Sequence, residues 1–183
     1  MESGSYTRES YYGDSAYGDY PVVSVTWQQA VDYCTWSGGR LPTEAKWEYA
    51  ARGPVGSKFT WGNTFDGTRL NYCDVNCELG PNDAAMDDGY ADTAPVGTLL
   101  QGASWCDALD LAGNVREWVA DWYGSYPSAR QVNPTGPSSG ELHPTRVGSW
   151  LDRPDDVRST NRGGNSLAYA HAKVGFRCVQ CAR

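Results

Sequence analysis

From residue 54 to about residue 105 no helical or strand period survives. Turn chemistry takes its place in Trp61-Gly62-Asn63, the run from Asn71 to Cys77, Pro81-Asn82-Asp83 and Asp87-Asp88-Gly89-Tyr90. An irregular stretch of this length within one domain is usually functional, or is held by a metal or disulfides. The chain is therefore committed to a loop-rich fold, and its aromatic content agrees. Trp 8, Tyr 12 and Gly 21 stand against Phe 3 and Met 2, so ring bodies should fill the core while their N–H and O–H tips meet backbone groups. With 183 residues and no internal repeat, one core suffices. Residues 1–20, rich in Gly, Ser, Tyr and Asp, read as an extended arm, and residues 21–183 as a single domain.

Regular elements flank the irregular stretch. Trp27, Ala30, Val31 and Cys34 share one helical face, with Thr26 as cap and Gly38-Gly39 as stop. A second helix starts at Thr43, carries Glu44 in its first turn, buries Trp47, Ala50 and Ala51, and ends at Gly53-Pro54. Strands are expected at Val115–Val119, Val147–Trp150 and Val174–Val179. No apolar run approaches a bilayer span of roughly 20 residues, so no membrane insertion is expected. The polar start, Met1-Glu2-Ser3-Gly4-Ser5-Tyr6, does not read as a secretory signal. A net charge of −7 argues against a general nucleic-acid binder. Residues 146–183 carry a net +4 and the first 145 residues −11, which reads as two solvated faces of one fold.

Few constellations carry chemistry by spacing alone. Asp110 and Glu117 bracket a turn whose Gly113 and Val115 carbonyls could complete an oxygen cage for a hard cation. Asn71 and Asp88, with the carbonyls of Tyr72 and Tyr90, make a second set. Most such Asx residues only build turns. Cys73 with Cys77, and Cys178 with Cys181, could ligate zinc, form local disulfides or stay reduced, and zinc ranks low. Gly136-Pro137-Ser138-Ser139-Gly140 has the letters of a nucleophile elbow without the strand–turn–helix context, and His143 and His171 sit in polar stretches. A paired-carboxylate glycosidase stays open, because carboxylate separations are invisible in sequence.

Several longer blocks together resemble the formylglycine-generating enzyme (sulfatase-modifying factor) family. They are Pro21–Trp27, Gly39–Gly53, Trp61-Gly62-Asn63, Ala94–Gly97, Leu111–Trp118, Gly148-Ser149-Trp150 and Val174–Cys178. The resemblance covers nearly the whole chain from about Tyr6, without the family's usual N-terminal portion, so the chain reads as a shortened or minimal version. It implies an α+β, C-type lectin-like fold of low regular structure, with two main helices, short antiparallel strands and one or two structural Ca²⁺ ions. Carried over, Asp110, Gly113, Val115 and Glu117 match the better-marked calcium site, and Asn71, Tyr72, Asp88 and Tyr90 the other. Cys34 and Cys178 match a disulfide pair, which tilts the compartment toward the cell surface or outside.

The family's two redox-active cysteines, which bind copper, belong after Gly-Ser-Trp. Here Leu151 to Arg162 is shorter and holds no Cys, so the resemblance implies a domain without that activity. The frame resembles instead the variable proteins of diversity-generating retroelements, whose segment before Gly-Phe-Arg is rewritten at template adenines to bind diverse surface ligands. Asn codons mutated at adenine cannot yield Glu, Gln, Lys, Met or Trp. Those types make 25 of 183 residues, so roughly 3 are expected by composition among residues 151–173, and one, Lys173, occurs. On this reading the ligand face within 151–173 comprises Leu151, Asp152, Arg153, Asp156, Thr160, Gly163, Gly164, Asn165, Ser166, Ala168, Tyr169, His171, Ala172 and Lys173, with Tyr169 and Arg153 as anchors. The alternatives are a divergent oxidoreductase of the same fold and an accessory domain of a larger signalling or surface protein.

Overall fold

In a computed structural model, residues 13–80 and 82–180 are described. Helix α1 spans Trp27–Trp36 behind a capping box, in which Thr26 Oγ1 accepts the Gln29 N–H and Gln29 Oε1 accepts the Thr26 N–H. Its Ala30 and Cys34 are buried, with Trp27 and Val31 packed beside them, as the period predicts. Helix α2 spans Glu44–Arg52 behind the Thr43 cap and buries Trp47 and Ala51. Of the expected arm, residues 1–12 lie outside the described residues; Ser15–Tyr17 form a 3₁₀ turn rather than extended chain.

Four short strands form one sheet: β1 (Arg116–Trp118), β2 (Leu142–Arg146), β3 (Arg162–Ser166) and β4 (Val174–Phe176), in the order β3-β2-β1-β4. The pairings β1–β2 and β2–β3 are antiparallel as expected, while β1 and β4 run parallel, so the sheet is mixed. The strand expected at Val147–Trp150 is corrected. Val147 turns out of the ladder at φ +60°, and the preceding Leu142–Arg146 supplies the strand instead. Pro144 hides that strand from a pattern search, because proline lacks the ladder donor. Strand β3 lies outside the expected strands; its two glycines give it no strand propensity, and pairing to β2 across five residues holds it extended.

The core lies between the helices and the sheet. One cluster joins Val25, Ala30, Cys34, Leu41, Trp118 and Val174, and a second joins Trp47, Ala51, Leu111, Val119 and Val147. A third, under the irregular stretch, joins Phe59, Leu70, Tyr72, Ala112 and Val157. The indole tips find backbone partners as composition suggests: Trp118 Nε1 donates to the Val25 carbonyl and Trp150 Nε1 to that of Ala172. Cys34 and Cys178 are bonded across 144 residues, and Cys73 is bonded to Cys77. These bonds leave no thiolate set for zinc among the described residues; Cys106 is free and exposed, and Cys181 lies outside them. His143, expected in a polar loop, is buried on β2, stacked between Trp27 at 3.7 Å and Trp122 at 4.0 Å.

Candidate functional site

Arg116, the first residue of β1, organises the expected ligand segment. Its Nε and Nη2 donate to the two oxygens of Asp152 at 2.9 and 3.0 Å, and Lys173 Nζ lies 3.6 Å from the same carboxylate. Asp152 also accepts the Ser149 N–H at 2.9 Å and the Ser149 hydroxyl at 2.6 Å. Burial works against its charge, but Arg116, Ser149 and Lys173 outweigh burial and hold the carboxyl below the usual range. Asp152 is thus a buried anchor, not the displayed side chain expected of it. Ala172 is corrected likewise: it is buried, and its carbonyl takes the Trp150 indole.

Strand β3 alternates its side chains between two sides, as any strand must. Its front faces Arg116. A Cβ on Gly163 would meet Thr145 Oγ1 at 3.7 Å and Arg116 Nη1 at 3.8 Å, both ordinary contacts. Asn165, on the same side, donates to Thr145 Oγ1 at 2.9 Å. The rear is different. Arg162 gives Nε and Nη2 to Glu44 at 2.7 and 2.9 Å and lies over the rings of Tyr123 and Tyr126 at 4.2 and 4.5 Å. A Cβ on Gly164 would stand 2.9 Å from the Tyr123 ring. Gly164 therefore does not belong to the display set.

Ser166, the last residue of β3, and Ala168 beyond it are exposed. Tyr169 is half-buried, set edge-on to Trp118 and stacked at 6.0 Å on His171. His171 is half-buried too, and burial, with the nearby Lys173 charge, pushes its imidazole pKa down. Leu151 and Asp156 are half-buried, and Arg153 and Thr160 exposed, on a loop pinned by the buried Val157 and Ser159. Gly163 and Lys173 thus flank the Arg116–Asp152 pair, Asn165 joins Gly163 and Thr145, and Tyr169 and His171 adjoin each other. Sequence reasoning placed Arg116 only inside a motif. Its position at the start of β1, beside the Gly163 register, could not be seen without the pairing.

Behind β3, Arg146 is wholly buried and donates to Glu44 and Glu48 at 2.7 Å each. A cleft of about 730 Å³ opens beside this network, between α2 and residues 121–137.

The two calcium candidates differ. In the first, Glu117 gives both oxygens to Arg177 at 2.6 Å and also accepts the Trp47 indole at 2.7 Å. Asp110 accepts the Gly97 N–H at 2.7 Å, Gly113 has φ +77° and Val115 is buried. A cation at that loop must displace Arg177, so these residues fit poorly as they stand. In the second, Asn71 is buried, its Nδ2 donates to Asp88 and to the Asp92 carbonyl, and its Oδ1 has no partner. Burial, with Asp74 adding to it, raises the Asp88 carboxyl to about 7. An orphaned buried oxygen beside an undercompensated carboxylate suits a hard cation. The Tyr72 hydroxyl is engaged by Asp83 at 2.7 Å and its carbonyl already accepts the Asp74 N–H at 2.8 Å, so that carbonyl would join through its second lone pair, alongside the Tyr90 carbonyl. Among the described residues no three acidic, His or Cys side chains converge as a metal cluster, and the second set accordingly leans on carbonyls.

Two helices, a small mixed sheet and long ordered loops define an α+β, C-type lectin-like domain of formylglycine-generating-enzyme type. The chain belongs to the sulfatase-modifying factor enzyme 1-like domain family, which it matches over residues 3–182. It is 36% identical over 170 residues to the formylglycine-generating enzyme of Thermomonospora curvata, covering 88% of this chain and 55% of that one. It is 35% identical over 170 residues to the inactive C-alpha-formylglycine-generating enzyme 2 of Mus musculus, covering 90% and 50%. The chain thus spans about half the length of these curated relatives. In fold it is similar to Treponema denticola variable protein 1, with a TM-score of 0.75 at 22% identity, over 96% of this chain and 76% of that one. Because the family holds both an enzyme and a protein named inactive, membership alone does not make this chain an enzyme.

Proposed function

We propose that this chain is a non-catalytic ligand-binding domain of the retroelement variable-protein type, presenting exchangeable side chains from residues 151–173. The observation that carries the reading is the split of β3: the front has room for a side chain at Gly163 above Arg116, while the rear is clamped. The lack of any Cys between Leu151 and Lys173 and the fold likeness to a variable protein support it. The proposed display set is Leu151, Arg153, Asp156, Thr160, Gly163, Asn165, Ala168, Tyr169, His171 and Lys173, with Ser166, on the Arg162 side of β3, included because it is exposed at the strand's end. Calcium at Asn71, Tyr72, Asp88 and Tyr90 would brace the irregular stretch by supplying the positive charge that Asp88 lacks. The two disulfides support a cell-surface or extracellular setting.

The test is the locus. A second copy of the DNA for residues 151–173, differing at template adenines and lying beside a reverse-transcriptase gene, is expected; a locus with neither contradicts the proposal. Incubation of the protein with copper, oxygen and a cysteine-bearing sulfatase-type peptide should leave the peptide mass unchanged, and formylglycine formation would overturn the non-catalytic reading.

A further inference from the structure

The cleft behind β3 holds three carboxylates, and they are not equally answered. Glu44 accepts from Arg146, Arg162 and the Tyr126 hydroxyl, at 2.7, 2.7 and 3.0 Å on one oxygen. Glu48 accepts from Arg52 and Arg146 at 2.7 Å each. Asp121, only 5% exposed, has the Glu44 N–H at 2.6 Å on Oδ2 and no side-chain donor among the described residues. Burial, with the Glu44 charge adding to it, pushes the Asp121 carboxyl above the ordinary range despite that amide and Arg162.

The chain packs directly on one side of the same group, which leaves it open only toward the cleft. Gly136 crosses it at φ +73°, where a Cβ would stand 2.9 Å from Asp121 Cβ and 3.0 Å from Oδ1. Trp122, Tyr126 and Tyr49 line the same cleft. The Tyr126 ring already carries one planar cation, the Arg162 guanidinium at 4.5 Å, so the wall has the chemistry of a cation–π surface. An anion would meet three carboxylates with the two lining arginines already paired. A hard metal ion would find too few oxygens around Asp121.

We infer that this cleft is a second binding site, separate from the 151–173 face, for a compact organic cation: an alkylammonium or guanidinium group that approaches Asp121 from the cleft, alongside Gly136. The group could belong to a free amine or to a Lys or Arg side chain of a protein partner, since both present the same chemistry.

The full 183-residue chain, labelled with ¹⁵N, is titrated with n-butylammonium, ethylguanidinium and blocked Gly-Lys-Gly and Gly-Arg-Gly peptides, with blocked Gly-norleucine-Gly as the neutral control. Saturable shifts of the Glu44 and Gly136 amides are expected with the cations and not with norleucine. Asp121→Asn keeps an oxygen for the Glu44 N–H while removing the charge, and should weaken binding at least tenfold. Gln131→Lys adds a competing charge at the exposed cleft mouth, should weaken binding in the same direction, and serves if Asp121→Asn does not fold. Equal affinity for amines and peptides assigns a free amine; peptides at least tenfold tighter assign a protein side chain. Absence of saturable shifts, norleucine binding as tightly as lysine, or unchanged affinity in the folded variants overturns the inference.

Discussion

The two sides of strand β3 carry neighbouring residues of one short segment, yet they differ in almost every physical respect. At the rear, Arg162 is held by two hydrogen bonds to Glu44 and two tyrosine rings, and Gly164 is pressed against one of those rings. At the front, Gly163 has ordinary clearance and the Asn165 amide donates to Thr145 Oγ1 and, at 3.5 Å, to the Gly163 carbonyl. The difference teaches that a replaceable surface needs an irreplaceable one directly behind it. A strand with two glycines has little intrinsic preference for its shape, so the clamp supplies the order that the front does not.

The largest test of this contrast removes the clamp. Arg146→Met leaves Glu44 and Glu48 without their shared buried partner, and should cost about 3–5 kcal/mol in denaturant unfolding, the range for breaking a buried ion pair. A loss below about 1 kcal/mol would show the rear network to be dispensable. Next, replacing Cys34 and Cys178 together by Ser should cost up to about 5 kcal/mol in the chain-entropy picture without altering the front. Spectra showing front-side amides shifted more than those of α1 would contradict that separation.

A smaller effect separates adjacent residues. Gly164→Ala should lose about 1–3 kcal/mol by overpacking against Tyr123, while Gly163→Ala stays within about 0.5 kcal/mol. Equal losses would erase the distinction between the sides.

The smallest effect is read in pH. His143, buried between two indoles with Nδ1 at 2.6 Å from the Asp121 carbonyl, is pushed down by burial. Its folded pKa lies below the unfolded value, so the unfolded chain takes up the proton first, and stability should fall as pH drops below about 6.5. His171 acts with the same sign. Asp152 is held low, so its contribution is present above about 3.8 and is lost as pH falls through its folded value. The slope should not exceed about 1.4 kcal/mol per pH unit for each group. Stability that rises on acidification from pH 7 to 5 would contradict the histidine assignment.

The sequence revealed the helices because their caps and apolar periods are local: Thr26 with Gln29, and Thr43 ahead of Trp47 and Ala51. It revealed the Cys34–Cys178 pair through family resemblance, where spacing alone left the thiols open. It did not reveal β2 or β3. Pro144 and the Gly163-Gly164 pair break local strand signals, and only pairing to neighbours makes these segments strands. For the same reason the ligand set read from the sequence mixes forward-facing, rear-facing and buried residues. Which members face forward depends on β3 register, and which are buried depends on partners such as Arg116 for Asp152 and Trp150 for Ala172. The calcium loops were legible as patterns, but their inequality was not, because Arg177 reaches Glu117 from 60 residues away.

The most direct test of the replaceable face is the unfolding free energy of a chain bearing Thr160→Asn, Gly163→Asp, Asn165→Ser, Ser166→Tyr and Ala168→Ser together. The account predicts a cooperative transition within about 1 kcal/mol of the parent chain, since Thr160, Ser166 and Ala168 are exposed and contribute little one by one, and the half-buried Gly163 and Asn165, which share Thr145, forfeit one side-chain hydrogen bond to it. A chain that fails to fold, or that loses more than about 3 kcal/mol, would contradict it, because the segment would then be holding the domain together instead of being held by it.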